Sequence, residues 1–408
     1  MISQQLNDQI TKIGPHAPAG DVLRRYWHPA ALEDELTGAF PVPVNLLGER
    51  LALIKTDAGT LELVTRIATT DEPPAHCPAA KDIQIDPDGP CYPVARRKGM
   101  VFAYMGPGDP PNFPHFDCFR APDSHVFAFK GLWECNWLQA LEIGIDPAHA
   151  SFLHRFLEDE DPADSYGKQF RDKAAHTDMP MTQVLRDYPR PEIKVDETEY
   201  GLKITALRHM ENALTHVRIT NQIFPDAICI PMSREMTITQ WHVPIDDKTC
   251  YWYSLFTSFR NPVDKATMRA QRLKEHRLPD YAPIKNRDND YHYDPDEQAT
   301  QTYTGMGLDI NVHDQWAVEG MGAVQDRTQE HLGRSDAAII RYRRMLRKAI
   351  KDVADNRIAD LPMQGDLDLS GIIGPLSNDA IAASDDWQAA SDASDRARRA
   401  ACPWDATV

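Results

Sequence analysis

The sequence predicts an α+β protein, in which a β-rich N-terminal region precedes a region with a helix and the strands of a curved sheet. Short alternating segments before residue 125, a helical apolar spacing just after it, and longer alternating segments beyond residue 190 carry this expectation. Between about residues 20 and 125 lie segments such as Val42-Pro43-Val44-Asn45-Leu46-Leu47 and Arg50-Leu51-Ala52-Leu53-Ile54, with turn residues between them. A Pro-dense stretch from Gly106 to Pro114 reads as a connector, because proline removes ladder donors and stiffens the backbone. From Trp133 to about Phe156 the apolar residues recur at helical spacing, whereas Ile193 to Arg208, Ala213 to Phe224 and Met236 to Pro244 alternate as strands. The last strong helix is Asp336 to Ala349, with an apolar stripe beside a basic face. Beyond Asp352 the chain turns acidic and alanine-rich, as expected of a loose tail or an interface arm. The expected division is therefore 1–125, 126–350 and 351–408.

Composition narrows the function. The chain has 408 residues, 42% of them hydrophobic and 26% charged, as in a globular protein with a substantial core. No apolar run approaches the roughly 18 residues that would span a bilayer. A net charge of -17 argues against a nucleic-acid partner, since phosphate binding needs a concentrated basic face. The opening MISQQLNDQITKIG lacks a basic start followed by an apolar core, so the expected location is the cytoplasm, with the seven cysteines as thiols.

One segment carries chemistry. In Asp146-Pro147-Ala148-His149-Ala150-Ser151-Phe152-Leu153-His154 an aspartate is followed by a histidine three residues later and a second histidine five further on. On a regular helix, at about 100° per residue, an i,i+5 pair points roughly 140° apart, so both imidazoles reach one metal only if the turn is broken. Gly144 and Pro147 supply such a break. Two imidazoles and one carboxylate make the facial triad that leaves positions open on Fe(II). Asp314 is the foremost third ligand, on a downstream helix that can pack beside the first, with His313 and Glu319 as competitors that spacing does not separate. Asp146 before Pro147 is equally a helix N-cap with proline at the first helical position, and either histidine taken alone reads as a satisfied core residue.

With its flanks, this segment resembles the iron-binding motif of the Rieske-type non-haem iron aromatic ring-hydroxylating oxygenases, in their catalytic α subunit. Leu23-Arg24-Arg25-Tyr26-Trp27-His28-Pro29 and Pro43-Val44-Asn45-Leu46-Leu47-Gly48-Glu49 resemble the family's opening. Tyr92-Pro93-Val94 with Met100-Val101-Phe102-Ala103-Tyr104-Met105-Gly106-Pro107 is similar to the end of its first domain. Asn289-Asp290-Tyr291, Tyr303-Thr304-Gly305 and the run from Met321 to Gly333 resemble the branch containing phthalate dioxygenase and aromatic O-demethylases. The resemblance covers about residues 20 to 350. It implies a helix-grip (START-like) catalytic domain, His149, His154 and Asp314 as ligands of mononuclear Fe(II), and Asp146 as the acid linking the iron site to a cluster ligand on a neighbouring subunit.

One departure alters the expectation. A Rieske cluster needs two Cys and two His, supplied as C-x-H and C-x-x-H, yet none of Cys77, Cys91, Cys118, Cys135, Cys229, Cys250 and Cys402 has His two or three positions on. Residues 1–125 are thus expected to be a degenerate Rieske-like β domain with no [2Fe-2S] cluster of its own. The expected partner is a Rieske-bearing α-type homologue fed by a reductase or ferredoxin, in a trimer-based hetero-oligomer where this chain binds an aromatic substrate and O2. The alternative is a non-catalytic structural or regulatory subunit, and a cluster-free oxygenase using a 2-oxo acid ranks last. Arg208 and Arg218, on expected strands of the grip, are the candidates to meet a substrate carboxylate.

Overall fold

The computed structural model describes residues 1–69, 71–157, 179–232, 235–365, 367–372 and 374–405. The larger sheet runs antiparallel in the order Glu192–Thr198, Gly201–His209, Leu214–Ile223, Ala227–Pro231, Met236–Pro244, Cys250–Ser258, Val126–Trp133. An eighth strand, Asp379–Ala383, pairs with the Leu214–Ile223 strand. The helix Trp137–Gly144 packs against Ala227–Pro231, Met236–Pro244 and Cys250–Ser258. Its residues from Trp137 to Glu142 are all buried, as expected of a helix gripped by a sheet. The α+β class and the antiparallel sheet around a buried helix agree with the expectation.

The N-terminal strands form two smaller sheets. Trp27–Leu32 pairs with Met100–Tyr104, which pairs with Val94–Arg97. Val42–Leu46, Glu49–Lys55 and Leu61–Ile67 make a meander completed by two short strands. One continuous apolar cluster joins both regions, from Leu23 and Phe102 through Trp137 and Leu141 to Trp252 and Tyr342.

Four expectations need correction. The segment Ile193 to Arg208 is two strands joined at Glu199–Tyr200. The turn is possible because Gly201 has φ +147°, and a Cβ there would lie 2.3 Å from the Gln222 carbonyl oxygen. Trp133 to Phe156 is the end of a strand, the helix Trp137–Gly144, and a separate turn Ala150–Leu153. The last long helix, Ala337–Ala354, runs five residues past Ala349. The loose tail is instead the strand Asp379–Ala383 and the helix Trp387–Ala400. Ala227–Pro231 reaches only Asn221, Gln222 and Ile223, so the backbone of Leu214–Arg218 stays open until Asp379–Ala383 pairs with it. Arg399 then locks the terminal helix onto Asp117 at 2.7 Å.

Candidate metal centre

The break in the buried helix places the first two side chains. Asn136 caps the helix start, its side chain accepting from the Leu138 N–H at 3.1 Å. The helix stops at Ile145, and Pro147 has no N–H with which to continue it. The Asp146 carboxylate accepts from the Ala148 N–H at 2.8 Å, starting the next turn. His149 and His154 flank that turn, with imidazole centroids 5.1 Å apart and planes at 87°.

The helix Ile310–Gly320 delivers the carboxylate. Asp309 caps it, accepting from the Asn311 N–H at 3.0 Å and pairing with buried Arg272 at 2.8 Å. It packs against Trp137–Gly144 and Ala150–Leu153. Asp314 Oδ1 lies 3.7 Å from His149 Nε2 and 3.3 Å from His154 Nε2. The competitors are engaged elsewhere: His313 Nε2 contacts the Gly307 carbonyl at 2.8 Å, and Glu319 accepts from the Glu134 N–H at 2.9 Å and Tyr291 Oη at 2.7 Å.

These three side chains fit a metal. Their ligand atoms lie within 4.8 Å of one another. Bonds of roughly 2.1 Å at right angles would set ligand atoms roughly 3 Å apart, a little closer than the 3.3 and 3.7 Å from Asp314 Oδ1 to the two imidazole nitrogens. Asp314 Oδ1 is buried with no hydrogen-bond donor among the described residues, and burial pushes its carboxyl up to about 6. Burial lowers the His149 pKa, and its Nδ1 is hydrogen-bonded to the Asp146 carbonyl. That contact puts the proton on Nδ1 and leaves the Nε2 lone pair facing Asp314. The Asp146 backbone carbonyl thus orients His149, while the Asp146 carboxylate caps the following turn.

A cavity of about 160 Å³ opens beside the three, lined largely by apolar side chains such as Ile143, Ile230, Ile238 and Phe256. Arg208 and Arg218 both line it. Arg208 is 1% exposed. Its Nη2 donates to the Pro147 carbonyl and to Ser151 Oγ, each at 3.1 Å, while Nε and Nη1 have no partner among the described residues. Burial, then the neighbouring Arg218, brings its pKa down to about 10. Arg218 is satisfied, donating to Asp379 Oδ2 at 3.1 Å and to the Pro231 carbonyl at 2.6 Å. The two arginines therefore differ: among the described residues, Arg218 has a carboxylate partner and Arg208 has none.

Sequence reasoning missed Ser151, His216, Gln240 and His242. His216 faces Arg208 directly across the ladder, and burial then the two arginines hold its pKa far below the usual imidazole value. Alternation was the available signal, because Ile238, Gln240 and His242 share one face of a strand and place two polar side chains on an otherwise apolar wall.

The chain is similar to the phthalate 4,5-dioxygenase oxygenase subunit of Pseudomonas putida, at 28% identity over 86% of each chain. It is also similar to the 5,5'-dehydrodivanillate O-demethylase oxygenase subunit of Sphingobium sp. (strain NBRC 103272 / SYK-6), at 25% identity over 87% of this chain and 82% of that one. Among solved structures, the fluorene-bound oxygenase of carbazole 1,9a-dioxygenase aligns with a TM-score of 0.48 and 19% identity, covering 84% of this chain and 95% of that one. Residues 103–393 match the family described as LigXa C-terminal domain like. With well over half its length matched, the chain belongs to this family, and the curated relatives it resembles are oxygenase subunits.

Proposed function

We propose that this chain is the O2-activating subunit of a hetero-oligomeric aromatic oxygenase, holding mononuclear Fe(II) between His149, His154 and Asp314. The observation that carries the reading is the gathering of two imidazole nitrogens and one carboxylate oxygen within 4.8 Å of one another in the lining of a small apolar cavity. When bound, Fe(II) would supply one electron to O2 activation, with coordination positions left open by a three-ligand set. His149 presents Nε2 because its Nδ1 proton is held by the Asp146 carbonyl. The apolar wall excludes water from the reacting substrate.

The substrate is read as a single-ring aromatic acid. The cavity of about 160 Å³ is smaller than the roughly 300–1,000 Å³ of drug-sized sites. Arg208 is a buried cation with open donors, which a carboxylate would satisfy. Arg218, held by Asp379, shapes that end of the cavity and does not bind the substrate directly. The curated relatives named above are oxygenase subunits for a phthalate and a vanillate-type compound, in keeping with an aromatic acid.

The second electron is read as coming from a [2Fe-2S] cluster on a Rieske-bearing partner served by a ferredoxin or reductase, because the full sequence contains neither C-x-H nor C-x-x-H. Residues 1–125 are then a degenerate Rieske-like domain. Within that region Arg50 donates to the Pro74 carbonyl at 2.7 Å and Arg66 to Glu72 at 2.9 Å, fastening the connection after the Leu61–Ile67 strand. A non-catalytic structural subunit is the second reading, and the observation favouring it is the N-cap role of Asp146, which gives that acid a use without electron transfer.

The test is to load the purified full chain with Fe(II) anaerobically and expose it to O2 and benzoate-type substrates, with and without a chemically reduced Rieske partner. Product is expected only with the partner. Full NAD(P)H-coupled turnover by the chain with a reductase and no Rieske protein would overturn the hetero-oligomeric reading, and the absence of O2 consumption with a competent donor would establish the non-catalytic one.

A further inference from the structure

The cavity wall beside Asp314 carries an amide whose orientation is fixed. Asn311 and Asp314 lie three residues apart on the Ile310–Gly320 helix, so they share a face, and both line the cavity. Asn311 Nδ2 donates to Asp309 Oδ1 at 3.1 Å, and the Asn311 backbone N–H donates to the same oxygen at 3.0 Å. The second carboxylate oxygen, Oδ2, accepts from Arg272 Nη2 at 2.8 Å. Burial disfavours the charge on Asp309, but Arg272 and the Asn311 N–H outweigh it and hold the carboxyl below its ordinary value. Asp309 is therefore a carboxylate, which can only accept.

That decides which way the amide points. Turning it over would set the Asn311 oxygen against Asp309 Oδ1, two acceptors with no proton between them, and would forfeit a hydrogen bond to a charged group. The orientation present turns Asn311 Oδ1 away from Asp309, and no described residue donates to it. Asn311 is half-buried. An amide oxygen on a largely apolar cavity wall, with its own NH2 already engaged, calls for a donor from the ligand.

We propose that Asn311 is a specificity-determining residue, its Oδ1 accepting a hydrogen bond from a hydroxyl or amino group on the ring whose carboxylate Arg208 holds. This rests on reading the cavity as the site of a single-ring aromatic acid. It deepens that reading because the two open polar groups ask for opposite partners: Arg208 has donors to spare and Asn311 has an acceptor. An alkyl substituent in the same place offers no proton and leaves the oxygen unmet.

The probes are 3- and 4-hydroxybenzoate against 3- and 4-methylbenzoate, which are close in size and differ in the donor, with 3- and 4-aminobenzoate as a second pair of donors. Dissociation constants are measured by titration calorimetry on the full chain loaded with Fe(II) under anaerobic conditions, with iron content checked for each variant. Wild type is expected to bind one hydroxy isomer about tenfold more tightly than its methyl counterpart, with the amino compound of that isomer siding with the hydroxy compound. Asn311→Leu is expected to reduce the ratio to within about twofold, and Asn311→Ala makes the same test should the leucine variant fail to fold. A wild-type ratio near one for both isomers, a ratio unchanged in the folded variant, or an amino compound that binds like the methyl one overturns the proposal. Benzoate binding that depends on Arg208 but shows no hydroxy preference overturns this inference alone. The corresponding hydroxy- and methylbenzamides separate the reverse case: if no benzoate binds but the hydroxybenzamide is preferred through Asn311, the carboxylate reading falls and this inference stands. Failure of both series to bind overturns the two together.

Discussion

Replacing Arg208 by methionine keeps the side chain's length and apolar stem while removing the buried cation. Nε and Nη1 are the donors left open, and a substrate carboxylate that satisfied both would gain two charge-assisted hydrogen bonds of about 1.5–3 kcal/mol each. Because Arg208 is only 1% exposed, solvent screening takes little from that sum. The expected loss is therefore about 3–6 kcal/mol, or roughly 10²–10⁴-fold in benzoate affinity. Titration calorimetry with benzoate and benzamide separates the charge from the ring: benzoate binding should collapse while benzamide, which has no carboxylate, changes far less. The Nη2 bonds to Pro147 and Ser151 are also lost, so iron content must be measured in parallel. An equal loss for both ligands at full iron content, or an undiminished benzoate affinity, would refute the reasoning.

Three further outcomes follow from the same geometry. Asp314→Ala should abolish Fe(II) binding, seen as loss of metal after gel filtration and of the stabilisation, about 2.7 kcal/mol at a hundredfold excess over Kd, that Fe(II) gives the parent chain in thermal melts. Asp146→Asn should keep iron and stability, because an amide oxygen can still accept the Ala148 N–H, whereas Asp146→Ala should cost about 1 kcal/mol in urea unfolding; a fall in partner-coupled turnover for the Asn variant at full iron content would reveal an electron-transfer role. His242 and His276 have folded pKa values depressed to about 3 and about 4, so the unfolded chain takes up protons first and stability drops as pH falls below about 6.5, each contributing a slope of up to about 1.4 kcal/mol per pH unit. Urea unfolding of wild type and His242→Leu at pH 7, 6 and 5 should show the smaller slope in the variant, and identical slopes would contradict it.

What the sequence disclosed depended on how local the cause was. The helix break at Gly144 and Pro147 was legible because proline's missing N–H acts within a few residues. Asp314 could be nominated but not chosen over His313 and Glu319, since a helix-to-helix contact across more than 150 residues decides which side chain faces the histidines. The Cys250–Ser258 strand escaped notice because its consecutive aromatics Tyr251, Trp252 and Tyr253 fall on both faces, which erases the polar alternation that marks a one-sided strand. Asp379–Ala383 escaped because an alanine-rich segment has little strand propensity, and the open backbone of Leu214–Arg218 overrode it. Arg208 and Arg218 were singled out as a pair, but only the position of Asp379 separates the satisfied cation from the open one.

The interruption of the central helix links metal and substrate. A helix that stops at Ile145 frees carbonyl groups that no later N–H in the same helix can satisfy. The Asp146 carbonyl is taken by His149 Nδ1, and the Pro147 carbonyl by Arg208 Nη2. The same break that lets two histidines separated by five residues face one carboxylate therefore also anchors the guanidinium beside them. Filling the break with a continuous helix, as Pro147→Ala would favour, should weaken Fe(II) and benzoate binding together, because both the ligand's orientation and the cation's position depend on carbonyls exposed by one proline. Loss of one with full retention of the other would show that the two sites are positioned independently.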